Sequence, residues 1–191
     1  PSVLRKSLIE PIVKSLPAMR GTSFKDYIRL AKKMANSGSL PPRDRFLMDG
    51  TYLNEFSKLH LYTDELRKVT EPYDPWIRHR EFFDRVEHAD FLNQMLYLDS
   101  KTFMISLNLT VTDKMSMASS VEVRVPFLDK DLAQFAASEI PPDQKLHGNT
   151  TKHIFKQAMD GILPPEVLNA KKAGFGAPLD YWLANDLRPM V

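Results

Sequence analysis

Fourteen prolines against seven glycines, set between periodic segments rather than inside them, constrain this 191-residue chain more than any other feature. Proline fixes φ and lacks an N–H, so it interrupts helix interiors and central strands but suits first helical turns. A run of short helices opened by proline turns is therefore expected. In the segment from Thr22, Phe24, Tyr27, Ile28, Ala31 and Ala35 recur at helical spacing, while Lys25, Arg29, Lys32 and Lys33 fill the other side. Asn54–Leu61, Asp64–Val69, Trp76–Val86 and Asp129–Ser138 read as further helices. The longest periodic stretch begins near His88, with Phe91, Met95, Leu98, Thr102 and Ile105 on one face, and is the expected central core helix. One segment, Val121-Glu122-Val123-Arg124-Val125, alternates with period two before Pro126 ends it. The fold class is thus mainly α with little or no sheet, and the softest internal boundary lies near residues 72–87, around Tyr73–Pro75.

The chain has no cysteine, which excludes disulfide frameworks, thiolate zinc sites, iron–sulfur clusters and cysteine nucleophiles. Its longest apolar run is four residues, as in Met95–Leu98, so no segment of this sequence reads as a membrane span or a secretory core, and a cytoplasmic location is expected. The net charge of +2 hides a basic N-terminal end, with ten Lys/Arg against three Asp/Glu in residues 1–45. Pro1 is not an initiator methionine, and the chain is expected to be an excerpt of a longer one.

Several residue groups invite a functional reading. The Lys25/Arg29/Lys32/Lys33 face would suit phosphates, but it lacks aromatic interleaving and a solvated helix face is the preferred reading. His79, Glu81, Asp84 and His88 are dense in potential metal ligands, but no third ligand is spaced to join Asp84 and His88, and no metal is expected there. No Ser-His-Asp order, P-loop or dinucleotide fingerprint occurs. The C-terminal third is richer. It carries Asp113-Lys114-Met115-Ser116-Met117-Ala118-Ser119-Ser120, continuing Val121-Glu122-Val123-Arg124-Val125-Pro126-Phe127-Leu128-Asp129. Thr151-Lys152 and Leu163-Pro164-Pro165-Glu166-Val167-Leu168 follow, and Lys171-Lys172-Ala173-Gly174-Phe175-Gly176-Ala177-Pro178-Leu179 comes last. Glycines beside lysines let a backbone approach an anion while an ammonium supplies mobile charge, so the last segment would hold a phosphate. Taken alone, however, the segment is better read as a Gly-Phe-Gly turn that caps a helix and buries an aromatic.

Together these segments resemble the glutamine-hydrolysing asparagine synthase family, in the C-terminal part of its ATP-pyrophosphatase-type synthase domain. The family pattern Asp-Arg/Lys-x-Ser-Met-Ala-x-x-x-Glu-x-Arg-x-Pro-Phe-Leu-Asp runs nearly unbroken through residues 113–129, and its Leu-Pro and Lys-x-Gly-Phe-Gly-x-Pro-Leu segments fit residues 163–182. The resemblance implies that this chain is the helical C-terminal portion of an α/β adenine-nucleotide-binding domain. It implies a reaction in which ATP adenylates the aspartate side chain and glutamine-derived ammonia displaces AMP. By similarity Lys172 stands at the catalytic lysine and Lys152 at a second lysine that contacts the ATP phosphates. Gly174 and Gly176 line the phosphate loop, and Glu122 and Arg124 belong either to the active-site wall or to an internal ion pair. Asp113 reads as the N-cap of a Met115–Ser120 helix.

The family's Pro-Asp-Asp stretch is replaced by Ile105-Ser106-Leu107-Asn108, and the proline before its catalytic lysine by Lys171. Its pyrophosphate loop, its acidic segment with magnesium ligands and its glutaminase cysteine have no counterpart in this sequence. ATP and magnesium are thus the implied cofactors, with the magnesium ligands outside these residues, and the chain alone is expected to be inactive. Expected partners are aspartate, ammonia and ATP, with no membrane or nucleic acid and with exposed apolar surface able to form a homodimer. Rival readings are a relative that amidates a sugar, peptide or β-lactam precursor carboxylate, and a non-catalytic helical adaptor.

Overall fold

A computed structural model of the chain describes residues 37–51, 53, 58, 60–170 and 178–190. Two compact units divide between Ala133 and Gln134. In the first, α1 (Pro42–Gly50) opens on proline, α2 (Asp64–Thr70) is capped by the Thr63 hydroxyl accepting from Leu66 N, and α3 (Ile77–Arg85) follows. Helix α4 (Phe91–Lys101) begins where Asp90 Oδ1 accepts from the Asn93 N–H at 3.0 Å. Each cap satisfies an N–H that the first turn leaves unpaired. A π-helical turn (Met104–Leu109) then leads into α5 (Thr110–Ala118), a 3-10 turn (Pro126–Leu128) and α6 (Lys130–Ser138).

Leu47, Phe83 and Leu98, from α1, α3 and α4, are the buried apolar core among the described residues of this unit, with Phe46, Trp76 and Phe82 packed against them. Burying each of these side chains contributes about 1.5–3 kcal/mol. Polar bonds tie the same helices. Arg43 lies over the Phe83 ring at 5.4 Å from its centroid and donates to Gln94 Oε1 and Asp84 Oδ1, both at 3.0 Å. Gln94, itself buried, donates in turn to the Glu87 and Ala89 carbonyls at 3.2 and 2.7 Å.

The second unit begins within α6 and holds α7 (Pro142–Lys145), a hairpin of β1 (Leu146–His147) and β2 (Thr150–Thr151), then α8 (His153–Ala158), α9 (Pro165–Leu168) and α10 (Leu179–Ala184). A final 3-10 turn spans Arg188–Met190. The strands are antiparallel, Leu146 opposite Thr151 and His147 opposite Thr150. Prolines 41, 141, 164 and 178 each stand just ahead of a helix, as their distribution in the sequence implies. Among the described residues no helix is long and apolar enough to cross a membrane.

The mainly α expectation holds, and Asp64–Val69, Trp76–Val86 and Asp129–Ser138 are helical within a residue or two. Two expectations are corrected. The residues expected to mark one long core face do not share one helix: α4 ends at Thr102, at φ −123 and ψ −82, and Ile105 falls in the π-helical turn beyond it and is 48% exposed, while Leu98 is buried. Asp113 caps nothing, because α5 grows directly out of that turn with Leu109 already helical and has no fresh N-terminus there. Around the soft boundary near 72–87, side chains bond back to α1 and its C-terminal end. There Trp76 Nε1 donates to Thr51 Oγ1 at 3.2 Å, Arg80 reaches Asp44 at 2.9 Å, and Arg80 also pairs with Asp74. The period-two valines form no strand, and the Thr22 segment and most of Asn54–Leu61 lie outside the described residues.

Candidate active site

Local hydrogen bonds set the backbone of residues 113–129. Helix α5 ends with Ser120 at φ +58, Ser120 N–H on the Met117 carbonyl at 3.0 Å and Val121 N–H on the Ser116 carbonyl at 2.9 Å. That pairing is a Schellman closure with serine where glycine is usual, which turns the chain sharply out of the helix. The chain then runs without strand pairing to Pro126, and Asp129 Oδ1 accepts from the Asp131 and Leu132 N–H groups at 3.1 and 3.0 Å to start α6. Between these fixed ends Glu122 and Arg124 pair at 2.5 Å, their side chains 67% and 83% exposed. An ion pair so hydrated contributes under about 1 kcal/mol. Val121, Val123 and Val125 are exposed as well.

Lys152 sits at the other well-defined position. The β1–β2 hairpin turns through Gly148 at φ +56 and Asn149, and the chain leaves β2 into Lys152 at φ +56, ψ +40. A lysine in the left-handed region costs about 1–2 kcal/mol, since its Cβ crowds the backbone. The Lys152 carbonyl accepts from Lys156 N–H at 3.0 Å, so the left-handed residue is also the entry to α8. The side chain of Lys152 is exposed. His147 and His153, one before the hairpin turn and one just after the lysine, stack with ring centroids 4.8 Å apart and planes inclined by 23°. Neither histidine was singled out by motif reasoning. The Gly-Asn pair between Leu146-His147 and Thr150-Thr151 is the signal that would have revealed the hairpin and hence the stack.

Lys172, Gly174 and Gly176 lie outside the described residues. Just beyond them Pro178 opens α10, and Trp182 N–H donates to its carbonyl at 3.0 Å. The Lys25–Lys33 face also lies outside them. His79, Glu81, Asp84 and His88 form no ligand set: Asp84 is held by Arg43, Glu81 pairs with Arg78 at 2.9 Å, and among the described residues no three potential metal ligands come together. A magnesium ion accompanying ATP thus finds no preformed cage among them. A cleft of about 420 Å³ between Pro42, Arg80 and Phe91 is lined by charged groups already spent on one another, Arg43 with Asp84 and Arg80 with Asp44. Two carboxyls are shifted: loss of hydration raises Asp99 on α4, while its own backbone N–H and the Thr63 hydroxyl lower Glu65 at the start of α2.

The sequence profile of the family described as asparagine synthase matches residues 7–191. The chain belongs to the asparagine synthase family. It is 33% identical to asparagine synthetase (glutamine-hydrolyzing) 1 of Bacillus subtilis (strain 168) over 195 residues, which cover 100% of this chain and 28% of that protein. Asparagine synthetase (glutamine-hydrolyzing) 3 of the same strain is 43% identical over 82 residues, 43% of the chain and 13% of the relative. Amidase chry2 of Gibberella zeae is 25% identical over 170 residues, 85% of the chain and 23% of that protein. The matches thus span only 13–28% of the length of these curated relatives. No solved structure matches it. The asparagine synthase match takes in the Thr151-Lys152 hairpin exit as well as residues 113–129 and 163–182.

Proposed function

We propose that the chain forms the helical C-terminal wall of the synthase site in an ATP-dependent amidotransferase that makes asparagine from aspartate and glutamine-derived ammonia. The observation that carries this reading is the ordered set of segments 113–129, 151–152 and 163–182 inside one asparagine synthase match. In the proposed reaction an oxygen of the aspartate side-chain carboxylate attacks the α-phosphorus of ATP, and the bond to the β-phosphate oxygen breaks to release pyrophosphate. Ammonia then attacks the acyl carbon, a tetrahedral oxyanion forms, and AMP departs with the attacking carboxylate oxygen.

Negative charge develops first around the α-phosphoryl group and then on the oxyanion, and a positioned cation lowers both barriers. Lys172 is assigned that task because a compact ammonium on a flexible stem follows moving charge better than a fixed guanidinium fork. Lys152, exposed at the hairpin exit, is assigned to the ATP phosphates, with Gly174 and Gly176 offering backbone N–H groups on the same polyanion. Glu122 and Arg124, paired and exposed, are assigned to the wall of the site.

The test is a reconstitution with the intact product of the native gene, ATP, glutamine and aspartate. Asparagine and AMP should accumulate together and stop when any one substrate is withheld. The match to an amidase favours one alternative, a different acceptor carboxylate. AMP release with a sugar or peptide acid but not with aspartate would move the assignment there, and no AMP with any carboxylate would end the adenylation reading.

A further inference from the structure

We infer that His147 and His153 are positioning residues that hold Lys152 toward the ATP phosphates, an inference that rests on the assignment of Lys152 as a phosphate contact. Three observations converge on one short segment. Lys152 occupies the left-handed region at φ +56, ψ +40, which a non-glycine side chain enters only when its surroundings hold it there. The residues on both sides are fixed by different elements: Thr151 is registered opposite Leu146 in the hairpin, and His153 is the first residue of α8. Across this junction the His147 and His153 rings stack at 4.8 Å and 23°, joining the strand before the turn to the helix after the lysine.

The geometry works as a clamp. His147 lies opposite Thr150 at the turn end of the hairpin, so its ring is anchored through β1, while the His153 ring is anchored through α8. Stacking the two closes a loop of five intervening residues, 148–152, with two left-handed positions in it, Gly148 and Lys152. Opening the stack would loosen α8 against the hairpin, leaving its packing on α7, and Lys152 would relax toward an ordinary backbone conformation that redirects its Cα–Cβ bond. Offset aromatic stacking supplies the restraint without occupying the lysine ammonium, which stays available to a polyphosphate. Neither ring needs a proton for this role, so an aromatic hydrocarbon of similar size should replace it.

The experiment is a double-mutant cycle in the intact native gene product, reading KM for ATP and kcat by pyrophosphate release. Lys152→Ala should raise KM for ATP about tenfold or more, the loss expected for one charged hydrogen bond. His147→Ala should raise KM about two- to tenfold, the worth of one aromatic pair, with kcat little changed. His147→Phe should restore wild-type KM, and in the Lys152→Ala background His147→Ala should add nothing. An unchanged KM in Lys152→Ala, or a wild type that releases no pyrophosphate, overturns the phosphate assignment and the clamp with it. A raised KM in Lys152→Ala with a wild-type KM in His147→Ala overturns the clamp alone. Failure of His147→Phe to rescue, or equal and additive losses in both backgrounds, likewise rejects positioning in favour of a general loss of folding.

Discussion

The core around Phe83 and the stretch from Asp113 to Asp129 lie in the same compact unit but are held in different ways. In the core, Phe83 is fully buried and Arg43 combines a ring contact with bonds to Gln94 and Asp84, so apolar burial and polar pairing reinforce each other across α1, α3 and α4. Residues 113–129 rest on a Schellman closure, a proline turn and an aspartate cap, all local, while their valines and the Glu122–Arg124 pair face outward. The residues that match the family pattern most fully are therefore not the ones that hold this unit together. Packing among the described residues explains the first region, and chemistry is the proposed explanation of the second.

The largest effect that would sharpen this contrast comes from Lys172. Lys172→Ala in the intact native gene product should lower turnover by about a thousandfold, on the scale of losing a transition-state cation, while the urea midpoint stays put. A matching fall in stability would erase the distinction. Phe83→Ala should do the reverse and cost about 3–5 kcal/mol in urea unfolding, because nothing around a fully buried ring can collapse into its space without strain.

Gln94→Ala comes next at about 1–3 kcal/mol, since it strips partners from Arg43 Nε and from two loop carbonyls in a part-buried setting. Arg124→Ala should change unfolding by less than about 1 kcal/mol, and a larger loss would mean that the exposed pair does structural work after all. Asp99 gives the smallest effect, read as a slope. Its carboxyl is raised in the folded state by lost hydration, so its contribution is fully present below its unfolded value and disappears as pH rises through the folded one. Asp99→Asn should therefore gain stability relative to wild type as pH climbs through the acid range, and a constant difference would remove burial as the cause.

Much of the helical architecture was legible because proline placement and helical periodicity act locally, and Pro178 before α10 or Trp76–Val86 needed no tertiary information. Phase was not legible beyond Thr102, since the break in α4 at that residue and the π-helical turn that holds Ile105 leave no periodic trace. Asp113 was misread for a related reason: a capping residue is recognised only where a helix truly begins, and α5 inherits its start from the turn before it. Lys152 was found through its family segment, but its left-handed backbone and the histidine stack around it depend on a hairpin of two residues per strand, too short to register as alternation.

The central claim, attack by a side-chain carboxylate on the α-phosphorus, is tested most directly by following the oxygen. Aspartate carrying heavy oxygen in its side-chain carboxylate is supplied to the intact native gene product with ATP and glutamine, and the phosphorus products are analysed by mass. The account predicts one labelled oxygen in AMP for each asparagine formed and none in pyrophosphate. Label in inorganic phosphate, with ADP as the nucleotide product, would contradict it.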